Sequence, residues 1–150
     1  MRAVIQRVSE AKVTINGEIK GEIQKGFVVL LGIAPDDELA DIEWLCSKIV
    51  NQRIFSDDDG KMNLSIKEVA GEILLISQFT LFASTKKGNR PSFISSAKPE
   101  IAIPLYEKFK QVLASKIDSK LQTGEFGADM KVSLVNDGPV TLIIDTKLKE

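Results

Sequence analysis

One stretch of the sequence is apolar on both faces of any strand that it forms. Residues 27–33 read Phe-Val-Val-Leu-Leu-Gly-Ile, with no polar residue in alternation. A strand of this composition is buried on both sides, as a central strand of a sheet is. Residues 73–76, Ile-Leu-Leu-Ile, have the same character. We therefore predict a sheet whose two middle strands are covered on both faces.

Alternating β-type segments precede this run. Residues 2–8 and 12–15 are rich in Val and Ile, and residues 18–23 alternate polar with apolar side chains. The pair Asn16-Gly17 between them is a preferred pair for a two-residue type I′ turn, because both positions need a positive φ. The start of the chain is thus predicted to be a β-hairpin that leads into the first buried strand.

Apolar residues recur at three- and four-residue steps in two other segments, which predicts two amphipathic helices. The first follows the acids at 36–38, whose charges suit a helix N-terminus, and continues to about Arg53. Cys46 lies on its apolar face and is predicted to be a buried core thiol. The second spans residues 99–117, but Pro104 is tolerated only near a first turn, which leaves its first residue open.

Two further β-type segments surround a turn near the end of the chain. Residues 130–135 and 140–144 flank Asn136-Asp137-Gly138-Pro139, and these four residue types are typical of tight turns. The segments are predicted to form a hairpin, with the proline at a strand start or edge because it cannot donate to the ladder. A bond before proline can adopt the cis form at a small energetic cost, but for this stretch alone a plain tight turn is the commoner outcome.

These elements predict a mixed α/β fold, with a largely antiparallel, barrel-like sheet and two amphipathic helices packed on it. A chain of 150 residues suits a single domain, residues 1–150, with a substantial core. No apolar run approaches the about 20 residues that span a membrane. The single cysteine fits a reducing compartment, so we expect a cytoplasmic protein without a membrane partner.

The sequence contains no histidine, and this absence limits the chemistry of any active site. It excludes a Ser-His-Asp triad, a Cys-His pair and a His-ligated metal. The adjacent acids 57–59 lack the ligand spacing of an EF-hand loop, so residues 56–61 are predicted to be a solvated turn. We expect no metal and no cofactor. The base of such an enzyme is then a carboxylate, a lysine, an α-amine, a backbone group or the substrate itself.

Polar residues follow the second buried strand directly. Ser77-Gln78-Phe79-Thr80 continue the apolar run 73–76. A hydroxyl, an amide and a ring at consecutive positions are predicted to line a rim with mixed chemistry. For this motif alone, a strand end whose polar side chains merely satisfy one another is the commoner outcome.

A local positive segment lies in the middle of the chain. Residues 73–99 contain no acidic side chain but include Lys86, Lys87 and Arg90 in a loop-like stretch, although the net charge of the chain is −1. Cations on an exposed loop contact phosphates without reading the base sequence. We interpret the segment as a nucleic-acid contact, and ordinary solubility is the alternative.

Two motifs together resemble the D-aminoacyl-tRNA deacylase family, of the D-tyrosyl-tRNA deacylase type. They are Ser-Gln-Phe-Thr-Leu at 77–81 and Asn-Asp-Gly-Pro-Val-Thr at 136–141. The similarity runs along the whole chain and includes residues 1–8, 60–65, 88–93 and 123–130. It implies a homodimer that hydrolyses the ester joining a D-amino acid to the 3′-terminal adenosine of tRNA. It also implies that glycine, which has no side chain, is accepted, so that glycyl-tRNA mischarged on tRNA-Ala is a substrate.

The resemblance implies a role for each motif residue. Gly138 and Pro139 would be joined by a cis bond and would project from one subunit into the active site of the other, where their carbonyl oxygens bind the α-ammonium of the substrate. An L side chain would then meet a wall, and Met130 would be part of that pocket, although core packing is an equal alternative for Met130. The residues lining the ester and adenosine pocket would be Ser77, Gln78, Phe79 and Thr80. Independently of the resemblance, the local positive charge assigns the tRNA contacts to Lys86, Lys87 and Arg90.

Thr80 is the family's candidate nucleophile, but an unassisted threonine hydroxyl is a poor one, and no histidine exists here to activate it. A histidine-free site fits substrate assistance, in which the 2′-hydroxyl of the terminal ribose helps to activate water and the protein supplies positioning. Two other functions stay open. One is a Thr-nucleophile hydrolase of other small amino-acid esters, and the other is a non-enzymatic, dimeric RNA-binding module.

Overall fold

In the computed structural model, which describes residues 1–149, a strongly curved sheet carries two helices. The elements in chain order are β1 (Arg2–Ile15), β2 (Glu18–Ile23), β3 (Gly26–Gly32), α1 (Leu39–Asn51), β4 (Phe55–Ser56), β5 (Met62–Leu64), β6 (Glu72–Ser77), a 3₁₀ helix (Phe79–Phe82), α2 (Pro99–Ser115), β7 (Leu121–Thr123) and β8 (Lys131–Asp145). The turn between β1 and β2 has positive φ at Asn16 (51°) and at Gly17 (80°), which confirms the predicted hairpin.

The sheet is arranged around β1. One edge of β1 pairs antiparallel with β3 and β2, and the other edge pairs antiparallel with β8. The pairs β3–β6 and β6–β7 are parallel, because a helix connects the two strands of each pair. At the far side β2 approaches β7, where a Cβ added to Gly21 would lie 3.2 Å from Gln122 Cβ. The sheet is therefore a nearly closed barrel, and the predicted mixed α/β fold class is confirmed.

β3 is buried on both faces because the sheet separates two apolar clusters. Phe27, Val29 and Leu31 pack into the cluster that contains the helices, whereas Val28 packs into the barrel interior. Cys46 is fully buried in the helix-side cluster, and this burial raises the pKa of its thiol to about 12. The predicted central strand and core thiol are both confirmed.

The segment near the end of the chain differs from the prediction. Residues 131–145 form one continuous strand, β8, and not a hairpin. Both of its halves pair with β1, which is long enough to provide a partner along the whole strand. The register shifts between the pairs Gln6–Thr141 and Val8–Asn136, so residues 137–140 bulge out of β8. The turn-type residues thus open a bulge within a strand, since each flank already has a partner in β1.

The second helix and the strand after it also refine the prediction. α2 begins at Pro99, so this proline lies in the first turn of the helix, and Pro104 lies inside the helix. A proline at this position deprives only the Glu100 carbonyl of its intrahelical donor, near the end where such bonds are fewest. The strand β7 follows the helix and was not predicted, because three residues are too few to show an alternating pattern.

The acidic segment 57–59 is a turn, as predicted. The Asp57 carboxylate accepts the backbone N–H groups of Lys61 and Asp59, and these hydrogen bonds hold the pKa of Asp57 below its usual value. Within residues 1–149 no group of three or more His, Cys, Asp or Glu side chains is placed to hold a metal ion. No helix of the described chain is long and apolar enough to cross a membrane.

An ionic cluster connects the start of the sheet to the residues before α1. The Met1 amino group donates to Asp37 Oδ1 at 2.5 Å and to Thr146 Oγ1 at 2.6 Å. Asp37 and the Met1 amino group are fully buried. The neighbouring Lys147 Nζ lies 3.0 Å from Asp41 Oδ2, in the first turn of α1. This cluster joins β1, β8 and α1 at one corner of the molecule.

We expect Asp41→Asn to reduce the free energy of unfolding by about 2 kcal/mol at pH 7. Burial alone would raise the pKa of Asp41, but hydrogen bonds from the Glu38 N–H, Thr146 and Lys147 outweigh it and lower the pKa from 3.8 to about 2. A lowered pKa stabilises the folded state above pH 4, and this contribution is lost as the pH falls toward 2. Urea unfolding at pH 7 and at pH 2.5 measures the difference between variant and parent.

The difference should be largest at pH 7 and should shrink at pH 2.5. Asp129→Asn is the matched control, because Asp129 pairs with Lys131 at 3.0 Å but is 87% exposed, and exposed pairs contribute little. Equal stability of Asp41→Asn and the parent at pH 7 would contradict the assignment.

Candidate active site

A cleft of about 270 Å³ opens at the carboxyl ends of the parallel strands β3 and β6. In sheets with parallel strands, ligands commonly bind beyond these ends. Ser77, Gln78, Phe79 and Met130 all line the cleft. The other lining residues come from the ends of β3 and β6, from the residues before and within the start of α2, and from the segment that leads into β8, and they are Leu31, Ile33, Ile76, Ser96, Ala97, Ala102, Phe126, Gly127, Ala128 and Val132. The fold thus brings the polar motif after β6 against a largely apolar wall.

The polar motif changes from strand to 3₁₀ helix within the cleft. β6 ends at Ser77, and the Gln78 N–H still donates to the Leu31 carbonyl of β3 at 2.7 Å. The first backbone hydrogen bond of the 3₁₀ helix runs from the Leu81 N–H to the Gln78 carbonyl at 3.3 Å. The N–H groups of Phe79 and Thr80 precede that bond and are therefore not used by the helix. Two main-chain donors are thus available in the segment that lines the cleft.

The Thr80 hydroxyl is engaged by a neighbouring amide. Gln78 Nε2 donates to Thr80 Oγ1 at 2.5 Å. This hydrogen bond occupies a lone pair of the hydroxyl oxygen and so weakens its nucleophilicity. Among residues 1–149 no carboxylate or amine is hydrogen-bonded to Thr80 as a general base, although an activated nucleophile needs one. Thr80 itself is not part of the cleft wall, and its hydroxyl is held by Gln78.

Met130 both lines the cleft and packs against the barrel interior. Its side chain belongs to the border of the cluster that contains Val13 and Ile76. It also lies over Gly124, where an added Cβ would collide with the Met130 sulfur. The glycine thus makes room for the methionine. The two interpretations of Met130, as pocket wall and as core residue, are compatible.

Gly138 and Pro139 lie at the bulge of β8, and both residues are exposed. The bond between them is cis, as predicted. The wall of the cleft in the same chain does not include them. One chain therefore brings together the motif after β6 and Met130, and it holds Gly138 and Pro139 at a separate place on the barrel.

Arg7 holds the bulge in place, a role that was not predicted from the sequence. Arg7 Nε donates to the Asp137 carbonyl at 2.9 Å, and Arg7 Nη1 donates to the Ile54 carbonyl. From the other side, Asn136 Oδ1 accepts the Val140 N–H at 3.1 Å. The Arg7 side chain is only 11% exposed. The sequence feature that could have predicted this role is a charged residue in the middle of a Val- and Ile-rich strand.

Three cations of the central segment, Lys86, Lys87 and Arg90, lie on one exposed loop. Backbone hydrogen bonds in both directions between Ser84 and Ser92, at 2.8 and 2.9 Å, close the loop at its base. Lys86, Lys87 and Arg90 are all exposed beyond this closure. The loop therefore presents its charges to the solvent at one place. It is connected to the 3₁₀ helix on one side and to residues 93–97 on the other.

A family model and curated relatives match the chain along its whole length. The family described as D-Tyr-tRNA(Tyr) deacylase matches residues 4–145. A D-aminoacyl-tRNA deacylase from Bacteroides fragilis (strain YCH46) is 64% identical over 150 residues, which are the whole of both chains. A D-aminoacyl-tRNA deacylase from Flavobacterium psychrophilum is 61% identical over the same length.

Solved structures have the same fold. The structure of a c-Myc DNA Unwinding Element Binding Protein superimposes with a TM-score of 0.92 at 40% identity, and the match covers 97% of this chain and 98% of that one. The structure of a probable eukaryotic D-amino acid tRNA deacylase superimposes with a TM-score of 0.82, over 95% and 97% of the two chains. Its identity of 16% makes that likeness one of fold alone.

Proposed function

This chain belongs to the D-Tyr-tRNA(Tyr) deacylase family and is a hydrolase of D-aminoacyl-tRNA, and from that premise we propose how its residues act. The observation that carries the proposal is the cleft in which Ser77, Gln78, Phe79 and Met130 meet. We assign the aminoacyl ester and the terminal adenosine to this cleft. The test is the release of tyrosine from D-tyrosyl-tRNA and from L-tyrosyl-tRNA, and only the first should be hydrolysed rapidly.

The reaction proceeds by attack of water on the ester carbonyl. The oxygen of water bonds to the carbonyl carbon, the bond to the ribose 3′-oxygen breaks, and that oxygen leaves with a proton. The main-chain N–H groups of Phe79 and Thr80 stabilise the negative charge that develops on the carbonyl oxygen, and each such donor is worth about 3–4 kcal/mol in other enzymes. The ribose 2′-hydroxyl of the substrate helps to activate the water, because no base lies beside Thr80 among residues 1–149.

The chiral selection requires a second copy of the chain. The exposed Gly138 and Pro139 of one subunit enter the cleft of its partner and accept hydrogen bonds from the α-ammonium through their carbonyl oxygens. Two observations support this arrangement. Both residues lie outside the cleft of their own chain, and the hydrogen bond from Arg7 to the Asp137 carbonyl holds the bulge in place. With the amine held, an L side chain meets the wall and is rejected sterically.

Glycine has no side chain to reject. The carbonyl oxygens of Gly138 and Pro139, which we call the gate, therefore also admit glycyl-tRNA mischarged on tRNA-Ala as a second substrate. Hydrolysis of glycyl-tRNA-Ala at a rate close to that of D-tyrosyl-tRNA, with L-alanyl-tRNA-Ala intact, is the expected result.

Because aminoacyl-tRNA is made and used in the cytoplasm, the enzyme acts there.

We assign the body of the tRNA to the exposed loop of Lys86, Lys87 and Arg90. Replacing all three by glutamine is expected to weaken tRNA binding about tenfold near physiological salt and to reduce the slope of log affinity against log salt by about 2. The reason is that fewer counterions are released when the complex forms. The selectivity for D over L should remain, because phosphate contacts position the RNA and do not read chirality.

The measurement is the deacylation rate of D- and L-tyrosyl-tRNA across a salt series. A variant with glutamine at Lys61, Lys67 and Lys108 is the matched control, since these exposed lysines lie elsewhere and the total charge changes equally. Equal salt slopes for the two triple variants would assign the loop to solubility instead.

A further inference from the structure

Two exposed phenylalanine rings stand together at the mouth of the cleft. Phe79 and Phe93 form an edge-to-face pair with ring centroids 5.1 Å apart. Phe79 is 56% exposed and Phe93 is 36% exposed. Neither belongs to the apolar clusters of the core. Exposed rings that pack on each other beside a cleft are typical of a binding surface and not of core packing.

The main chain around Phe93 fixes the position of this ring. The Ser96 N–H donates to the Phe93 carbonyl at 3.0 Å, and the Ala97 N–H donates to the Ile33 carbonyl at 2.9 Å. Ser96 and Ala97 themselves line the cleft. The turn that presents Phe93 is therefore attached to the cleft wall just beyond β3.

The aromatic pair also adjoins the cationic loop. Phe93 directly follows Ser92, whose backbone hydrogen bonds with Ser84 close the loop that presents Lys86, Lys87 and Arg90. A π-face next to a group of cations is the combination with which proteins bind single-stranded nucleic acid, since bases stack on the ring and phosphates contact the cations. A surface for a peptide or another apolar partner would not need the three charges.

We propose that Phe93, supported by Phe79, is a stacking platform for the penultimate nucleotide of the single-stranded 3′ end of tRNA. The inference rests on the proposed function, in which the cleft holds the terminal adenosine. Phe79 lies in the cleft wall, and Phe93 lies one ring farther toward the cationic loop. An RNA strand that leaves the cleft toward those cations brings its next base onto Phe93.

The first experiment measures stacking without catalysis. A short single-stranded RNA that ends in adenosine carries 2-aminopurine at the penultimate position, because the fluorescence of this base is quenched on stacking. The parent and Phe93→Tyr should quench it on binding. Phe93→Leu should leave it bright and bind about tenfold more weakly, as expected from the loss of one stacked base. Ile94→Ser is the matched control, since Ile94 is 89% exposed but carries no aromatic ring.

The second experiment compares two D-tyrosyl esters, one of tRNA and one of adenosine alone. Phe93→Leu should raise KM for D-tyrosyl-tRNA about tenfold or more, with kcat retained. The KM for D-tyrosyl-adenosine should not change, because this substrate has no penultimate nucleotide. Phe93→Tyr should behave as the parent does on both substrates.

Equal losses on the two esters would overturn the platform, because Phe93 would then only support the cleft. Unchanged KM on both esters together with unchanged quenching by Phe93→Leu would overturn it as well. Failure of the parent to hydrolyse D-tyrosyl-tRNA would instead reject the proposed function. The quenching experiment still decides the platform in that case, because it requires no turnover.

Discussion

Removing the 2′-hydroxyl of the terminal adenosine should slow the enzymatic hydrolysis of D-tyrosyl-tRNA about hundredfold or more, comparable to losing one well-placed group from a preorganised site. Thr80→Ala should retain activity within about fivefold of the parent. The reason is that Thr80 Oγ1 accepts a hydrogen bond from Gln78 and, within the described residues 1–149, has no base beside it, so the hydroxyl is not an activated nucleophile. The chain has no histidine to take that role.

The 2′-hydroxyl also affects the spontaneous hydrolysis of the ester. Each enzymatic rate is therefore divided by the rate without enzyme in the same buffer, and single-turnover conditions isolate the chemical step. Tight binding of the deoxy substrate with a lost rate supports substrate assistance. Normal turnover of the deoxy substrate by the parent, together with an inactive Thr80→Ala, would establish Thr80 as the nucleophile.

Gly138→Ala should reduce the hydrolysis of D-tyrosyl-tRNA about hundredfold, as expected when a group that positions the substrate is displaced by about 1 Å. Gly138 has a φ of 138°, and an added Cβ would lie 2.9 Å from Val140 N and 3.1 Å from Arg7 Nη2. The bulge has to shift to relieve these contacts, so both carbonyl oxygens of the gate move. The measurement is kcat/KM for the D and L esters.

Gly17→Ala is the matched control for this substitution. Gly17 also has a positive φ, at 80°, but nothing lies within 4 Å of an added Cβ. The alanine there introduces backbone strain without a collision, at the turn between β1 and β2. Its activity should stay close to that of the parent. A comparable loss in both variants would mean that general destabilisation, and not the gate, accounts for the effect.

Mixed subunits test whether the gate acts across a dimer. Ala128→Phe places a ring in the cleft wall and should block the cleft of its own chain. In a mixed dimer with Gly138→Ala, one site combines an intact cleft from one chain with an intact gate from the other. Co-expression should therefore restore activity that neither variant has alone. A mixture as inactive as its parts, in a confirmed mixed dimer, would place the gate within a single chain.

Several features follow directly from the sequence because they depend on neighbouring residues. The apolar run 27–33 specifies a strand buried on both faces, and Asn16-Gly17 specifies its turn because both residues tolerate a positive φ. Apolar residues at three- and four-residue steps around Cys46 likewise predict that its thiol lies in the core. The motif at 77–80 and the absence of histidine from the sequence are enough to limit the chemistry of the active site.

Other features were decided only by contacts between distant parts of the chain. The residues around Gly138 have the composition of a hairpin turn, but they form a bulge because β1, more than 100 residues earlier, pairs with both flanks. Arg7 contacts the bulge because the same pairing puts its guanidinium beside Asp137. Phe93 reaches Phe79 through the closure at Ser84 and Ser92. Local sequence therefore determined most of the strands, the two helices and the available chemistry, whereas long-range strand pairing and packing decided the form of β8 and which side chains meet.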